Sequence, residues 1–170
     1  MRKKGFTLIE LLVVIAIISM MMGMLMPAIT RVWQAAYQLV APVVTGTNPQ
    51  AYANDVSPSL EIITVTFDQP MKDNSWSWTG GGETYPTTTG QPSYDPNSRT
   101  TCSLPVSMQP GKVYWVGING PIYRNFKSAE HGAPAKRYVI LFATMDSSGN
   151  PTPIPADLLA KAKKINEQSN

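Results

Sequence analysis

Apolar and polar positions divide the chain into stretches of different period. Phe6–Met26 is almost unbroken apolar sequence, and Glu10 is the one charge between Phe6 and Thr30. As a helix, these roughly 21 residues rise about 31 Å, the thickness of a bilayer core. From Ala28 to Ala41 the pattern is helical and mixed. Ile29, Val32, Trp33, Ala36, Leu39 and Val40 recur among Arg31, Gln34 and Gln38, and Pro42 is expected to close the helix. Five methionines fall within Met20–Met26, where flexible thioethers suit a pliable helix–helix contact.

Beyond Val43 the period shortens to that of strands separated by turns. Ile62–Phe67 places Ile63, Val65 and Phe67 on one face and stops at Asp68-Gln69-Pro70. Trp76–Thr79 alternates large and small residues until Gly80-Gly81-Gly82 interrupts it. Thr100–Val106 sets Cys102, Leu104 and Val106 on one face. After the Pro110-Gly111 turn, Lys112–Ile118 opposes Val113, Trp115 and Gly117 to Tyr114, Val116 and Ile118. Tyr138–Thr144 is a last, mostly apolar strand. Gly120–Lys136 reads as a long polar insertion holding His131. Near the end, Leu158, Ala162 and Ile165 share a helical face, with Asp157 at the start and three lysines at the end to suit the helix dipole. The expected order is a short basic start at 1–5, a membrane helix at 6–41, a β-sandwich at 43–148, a linker at 149–154 and an amphipathic helix at 155–168. The fold class is mainly β with α, without internal repeats.

Composition supports a turn-rich β domain: the chain has 12 Gly and 15 Pro in 170 residues. Its charge is less informative than it looks. Lys+Arg is 14 against 11 Asp+Glu, but Arg2, Lys3 and Lys4 supply the excess of three. No basic stripe remains for nucleic acid, which is not expected as a partner. One cysteine, Cys102, rules out an intrachain disulfide, and with one histidine no metal centre or triad of several such residues can form. Asp68, Asp73, Glu83, Asp95 and Glu130 are scattered among turns with no spacing that pairs them, and Asp146–Asn150 lacks the acid spacing of a calcium loop. No enzyme activity, cofactor or metal is expected. Cys102 reads as a small core residue and His131 as a solvated loop residue. Trp76, Trp78, Tyr85, Tyr94 and Tyr123 form a candidate surface for a sugar or a protein; packing of Trp76 and Trp78 into the core is the competing reading.

The apolar N-terminal stretch exceeds the core of an ordinary secretory signal and lacks small residues after it. A plain anchor, in turn, has no use for Glu10, since a carboxylate costs about 2.5–3.5 kcal/mol at mid-membrane on insertion scales. Lys3-Lys4-Gly5-Phe6-Thr7-Leu8-Ile9-Glu10, followed by Leu11–Ile18, resembles the class III leader of type IV pilins and type II secretion pseudopilins. The resemblance implies cleavage between Gly5 and Phe6 by prepilin peptidase and N-methylation of Phe6. It implies that Arg2, Lys3 and Lys4 hold the leader on the cytoplasmic side. Glu10 would meet the terminal ammonium of a neighbouring subunit, and Pro27, with Gly23 nearby, would soften the helix during assembly. The implied partners are the peptidase, inner-membrane lipid and other pilin or pseudopilin subunits. The implied location is the inner membrane, single-pass, with the C-terminal domain in the periplasm or at the cell surface.

The middle of the chain resembles a bacterial immunoglobulin-like domain of cell-envelope proteins. The resemblance rests on Asn48-Pro49, Val56-Ser57-Pro58, Ile63–Met71, Tyr94–Thr100, Gln109–Tyr114 and Phe142–Thr144, in that order. It implies an antiparallel sandwich in which the Tyr114 hydroxyl bonds back across the Pro-Gly turn. Two functions follow from the paired resemblances: a structural subunit of a pilus or pseudopilus, or an anchored binding module that uses the leader for targeting alone.

Overall fold

The structure, a computed structural model, describes residues 7–168. Helix α1 spans Leu8–Leu39. It ends before the expected stop because Pro42 excludes Ala41 from helical geometry, and the chain from Val40 onward joins a second unit. The Val40 carbonyl accepts the Gln69 side chain at 3.1 Å, and Val43 N–H donates to Asp68 at 2.8 Å. Within α1, Leu8–Trp33 is 26 residues long and apolar enough to cross a membrane. At 1.5 Å per residue it rises about 39 Å. Ser19 donates to the Ile15 carbonyl at 2.7 Å and Thr30 to the Pro27 carbonyl at 3.0 Å, so neither hydroxyl lacks a partner in an apolar surround.

The second unit is built on eight strands: β1 (Val44–Asn48), β2 (Ile62–Phe67), β3 (Trp78–Thr79), β4 (Thr87–Thr88), β5 (Ser93–Tyr94), β6 (Thr101–Ser107), β7 (Val113–Ile118) and β8 (Tyr138–Ala143). One sheet has the order β1-β2-β6-β4, with β5 also on β6; the other has the order β3-β7-β8. All of these strand pairs are antiparallel. The alternation read from sequence holds. Ile63, Val65 and Phe67 of β2 and Cys102, Leu104 and Val106 of β6 turn into the core, where Tyr114, Val116, Ile118, Ile140 and Phe142 of the other sheet meet them. Tyr114 Oη accepts the Gln109 N–H at 2.8 Å across the Pro110-Gly111 turn, the bond its position predicts.

Helix α2 (Ala156–Glu167) covers the opposite face of β7 and β8. Ala162 is fully buried there, with Leu158, Leu159 and Ile165 packed beside Val139, Leu141 and Trp115. Lys161 sits 5.7 Å from the Trp115 ring centre and Lys163 5.9 Å from that of Tyr52. This explains why β8 is apolar on both sides. The stretch before α2 is pinned as well: Thr152 N–H bonds the Asn54 carbonyl at 2.9 Å, and Asn150 closes a turn on Asp146.

The free edge of β8 is closed by two devices. Tyr52–Val56 runs along it, exchanging backbone bonds with Leu141, Ala143 and Met145. Beyond that segment, the Asn166 amide takes Val139 N–H at 2.8 Å and gives to the Val139 carbonyl at 3.0 Å. Its second N–H reaches the Tyr52 hydroxyl at 2.7 Å. The side chain thereby stands in for a neighbouring strand, which protects an edge from other chains. Asn166→Ala strips both Val139 groups of their partner. The expected loss is about 1–3 kcal/mol, read as a lower urea midpoint, with faster amide exchange at Val139. An unchanged midpoint would remove Asn166 from this role.

The insertion Gly120–Lys136 departs from expectation. It is not a polar surface loop throughout, because Phe126 and Ala133 are fully buried and Ser128 and Ala135 nearly so. Asn119, at the end of β7, holds it in place. The Asn119 amide donates to the Phe126 carbonyl at 3.1 Å and to the Ala135 carbonyl at 2.9 Å, and accepts the Phe126 N–H at 3.0 Å. The Asn119 backbone is left-handed, at φ 55°, a conformation asparagine tolerates.

Candidate functional site

The first candidate site is the start of α1. Thr7 and Glu10 form a reciprocal cap. Glu10 Oε2 accepts both the Thr7 backbone N–H and the Thr7 hydroxyl at 2.8 Å, while Thr7 Oγ1 accepts the Glu10 N–H at 3.3 Å. The helix N-terminus also favours a carboxylate electrostatically. Glu10 Oε1 makes no hydrogen bond among the described residues. The acid can therefore hold its own helix cap with one oxygen and present the other outward. Arg2, Lys3, Lys4, Gly5 and Phe6 lie outside the described residues. Thr7 was legible as the first member of a Thr-x-x-Glu box but was not singled out from sequence.

Pro27 lies inside α1, which continues through it. Having no N–H, it leaves the Gly23 carbonyl, four residues earlier, without its intrahelical donor. A Cβ at Gly23 would meet nothing within 4 Å, so this glycine is not required by packing within the chain. Leu8, Ile9, Val32 and Trp33 are among the large apolar side chains that α1 exposes, in keeping with a lipid or protein surround.

The second candidate site is a cleft of about 400 Å³ in the β-rich unit. Trp76, Trp78, Tyr85 and Tyr123, four of the five aromatics named from sequence, line it. Trp76 and Trp78 also pack against the core, as the competing reading expects, while keeping part of each ring on the cleft. Tyr94 stays behind the wall. It is buried, its ring lies 6.3 Å from that of Trp76, and its hydroxyl donates to the Ser75 carbonyl at 2.9 Å. Burial, above all, pushes the Tyr94 and Tyr85 phenols upward. Gly80 makes room for Tyr85: a Cβ there would fall 2.3 Å from the Tyr85 ring, and φ is 152°. Gln91 and Asn125, which sequence reasoning did not single out, add side-chain amides to the lining.

The remaining chemistry-bearing residues serve local structure. Cys102 is fully buried, and its surroundings push the thiol up to about 12. The Trp78 indole N–H lies near that sulfur but makes no hydrogen bond of ordinary geometry. Asp95 closes a turn by accepting the Ser98 hydroxyl at 2.6 Å and the Ser98 N–H at 3.0 Å; these bonds hold its carboxyl below the usual range. His131 is exposed, 3.7 Å from Glu130. Among the described residues, no group of three or more His, Cys, Asp or Glu side chains gathers as a metal centre would require.

Residues 1–26 match the family model of the prokaryotic N-terminal methylation motif. No curated protein and no solved structure matches the chain. The motif supports a prepilin-type leader, and together with the membrane-length helix it fits a membrane-anchored, single-pass protein of pilin-like type.

Proposed function

We propose that the chain is a structural subunit of a type IV pilus or type II secretion pseudopilus, made as a prepilin and anchored in the inner membrane. The observation that carries this reading is the methylation motif at residues 1–26, running into a helix that exposes its apolar side chains. Prepilin peptidase cuts between Gly5 and Phe6 and methylates the new terminus, and Arg2, Lys3 and Lys4 keep the leader on the cytoplasmic side. Glu10 then meets the terminal ammonium of a neighbouring subunit, and the turn from Gly23 to Pro27, which lacks the proline N–H bond, is where α1 softens on assembly.

The β-rich unit reads as an immunoglobulin-like head facing the periplasm or the cell surface. Its support is the pair of antiparallel sheets and the Tyr114–Gln109 bond. That head also supports a second reading, an anchored binding module delivered by the leader without filament formation. Processing is tested by intact-mass measurement of the protein from cells with and without a prepilin peptidase. The expected product begins at N-methyl-Phe6 only when the enzyme is present. A chain that keeps Met1–Gly5 in both strains would overturn the assignment.

A further inference from the structure

The aromatic cleft of the β-rich unit is a built feature. Its lining comes from residues 76–79, 85–92 and 123–125 with Leu104, and the first and last of the three stretches are tied to each other. The Ser75 hydroxyl donates to the Asn125 carbonyl at 2.6 Å, the Asn125 N–H donates to the Ser77 hydroxyl at 3.0 Å, and the Asn119 N–H donates to the Ser77 carbonyl at 2.9 Å. Behind the wall, Trp78 meets the buried Phe126 edge-on, with ring centres 5.4 Å apart. Tyr85 is set on the Gly80 backbone, where only a glycine leaves room for its ring. These aromatic faces are therefore positioned before any ligand arrives, which lowers the ordering cost of binding.

The lining indicates what such a ligand would be. It holds aromatic rings, hydroxyls and amides and includes no Asp, Glu, Lys or Arg. An ionic ligand would find no counter-charge there. Tyr123 is 66% exposed and offers a ring face to solvent. Among the described residues the side-chain amides of Gln91 and Asn125 make no hydrogen bond, so each has donors and an acceptor available, and Thr88 adds a hydroxyl. Flat apolar faces rimmed by uncharged bidentate groups suit a molecule with C–H faces and many hydroxyls. At about 400 Å³ the cleft lies within the usual range for small-ligand sites.

We infer that this cleft binds a neutral glycan, with one pyranose ring against Trp76, Trp78 and Tyr123 and its hydroxyls on Gln91 and Asn125. This goes beyond the structural role and does not depend on whether filaments form. The full chain is purified in a zwitterionic, sugar-free detergent, because glycoside detergents would compete. Cellotetraose and tetra-N-acetylchitotetraose are titrated by saturation-transfer NMR, alongside oligogalacturonate and a proline-rich peptide. One or both neutral sugars are expected to saturate with a Kd of about a millimolar, independent of salt. Tyr123→Ala and Gln91→Ala, both at exposed positions, should each weaken binding about fivefold or more with the thermal unfolding midpoint unchanged. Three results would overturn the inference: no saturation by either neutral sugar, undiminished binding in both variants, or binding of oligogalacturonate or the peptide alone.

Discussion

Glu10→Gln is expected to abolish filament or pseudopilus assembly while leaving membrane insertion, leader cleavage and helix start intact. The prediction separates the helix cap, which the structure shows, from the pairing with a neighbour's ammonium, which the proposed function adds. As the fourth residue of the Thr7 box, Glu10 closes the helix cap, and glutamine closes it as well because its amide oxygen accepts the same N–H. In the proposed subunit role, the Glu10 charge would neutralise a neighbour's terminal ammonium in a medium that solvates neither ion. Removing one partner of such a pair leaves the other uncompensated, at about 3–5 kcal/mol. Per subunit, that is roughly a hundredfold or more in the concentration needed to assemble. Losing the cap alone costs about 1 kcal/mol, too little to stop assembly. Glu10→Ala loses both and should fail as Gln does. The measurement is surface filament yield or secretion activity, beside the mass of the processed chain. If Gln assembles like the parent, the charge is not needed and the pairing role is wrong, whatever Ala does. If both assemble like the parent, assembly needs neither role of Glu10; if the parent itself yields no filament and supports no secretion, the subunit reading falls and the anchored binding module remains.

The parts of this chain that local pattern could reveal are those with strict period. β2 and β6 alternate cleanly because one face of each meets the core, so Ile63, Val65 and Phe67, then Cys102, Leu104 and Val106, were placed correctly from sequence. The α2 face was legible for the same reason. Strands β3, β4 and β5 are two residues each, too short to carry a period, and exist through pairing with β6 and β7, which are distant in sequence. Gln91 and Asn125 look like any polar loop residues until the fold brings them to one cleft. Thr7 is different, because a Thr followed three residues later by Glu ahead of an apolar run is a local cap signature. Tyr94 shared the composition of the other four aromatics, yet its hydroxyl finds the Ser75 carbonyl and its ring is drawn inward. Aromatic type alone does not separate a wall from the surface of that wall.

Phe126 is the clearest case of burial without a local signal, and it carries the largest expected loss of stability. It stands in a loop of mostly polar and small residues whose other large apolar side chains, Ile122 and Tyr123, are exposed, so its sequence neighbourhood reads as exposed. In the fold it is fully buried, 5.3 Å from the Phe67 ring, 5.4 Å from Trp78 and 6.4 Å from Tyr94. Phe126→Ala should cost about 3–5 kcal/mol, from lost transfer energy and the cavity left behind. Domain stabilities run to about 5–15 kcal/mol, so this variant gives up a large share and can leave the unit partly unfolded at 37 °C, a temperature set by the assay. A lower urea midpoint with an unchanged slope, followed by near-ultraviolet circular dichroism of the full chain, is the expected result. Phe126→Leu keeps much of the volume and should cost far less, which tests packing apart from backbone effects. Were Gly120–Lys136 an ordinary surface loop, both variants would fall within about 0.5 kcal/mol of the parent. Asn119 makes that outcome hard to reconcile with the fold: its amide is spent on the Phe126 N–H and carbonyl, and that bonding has a use only if the ring it fixes is part of the core.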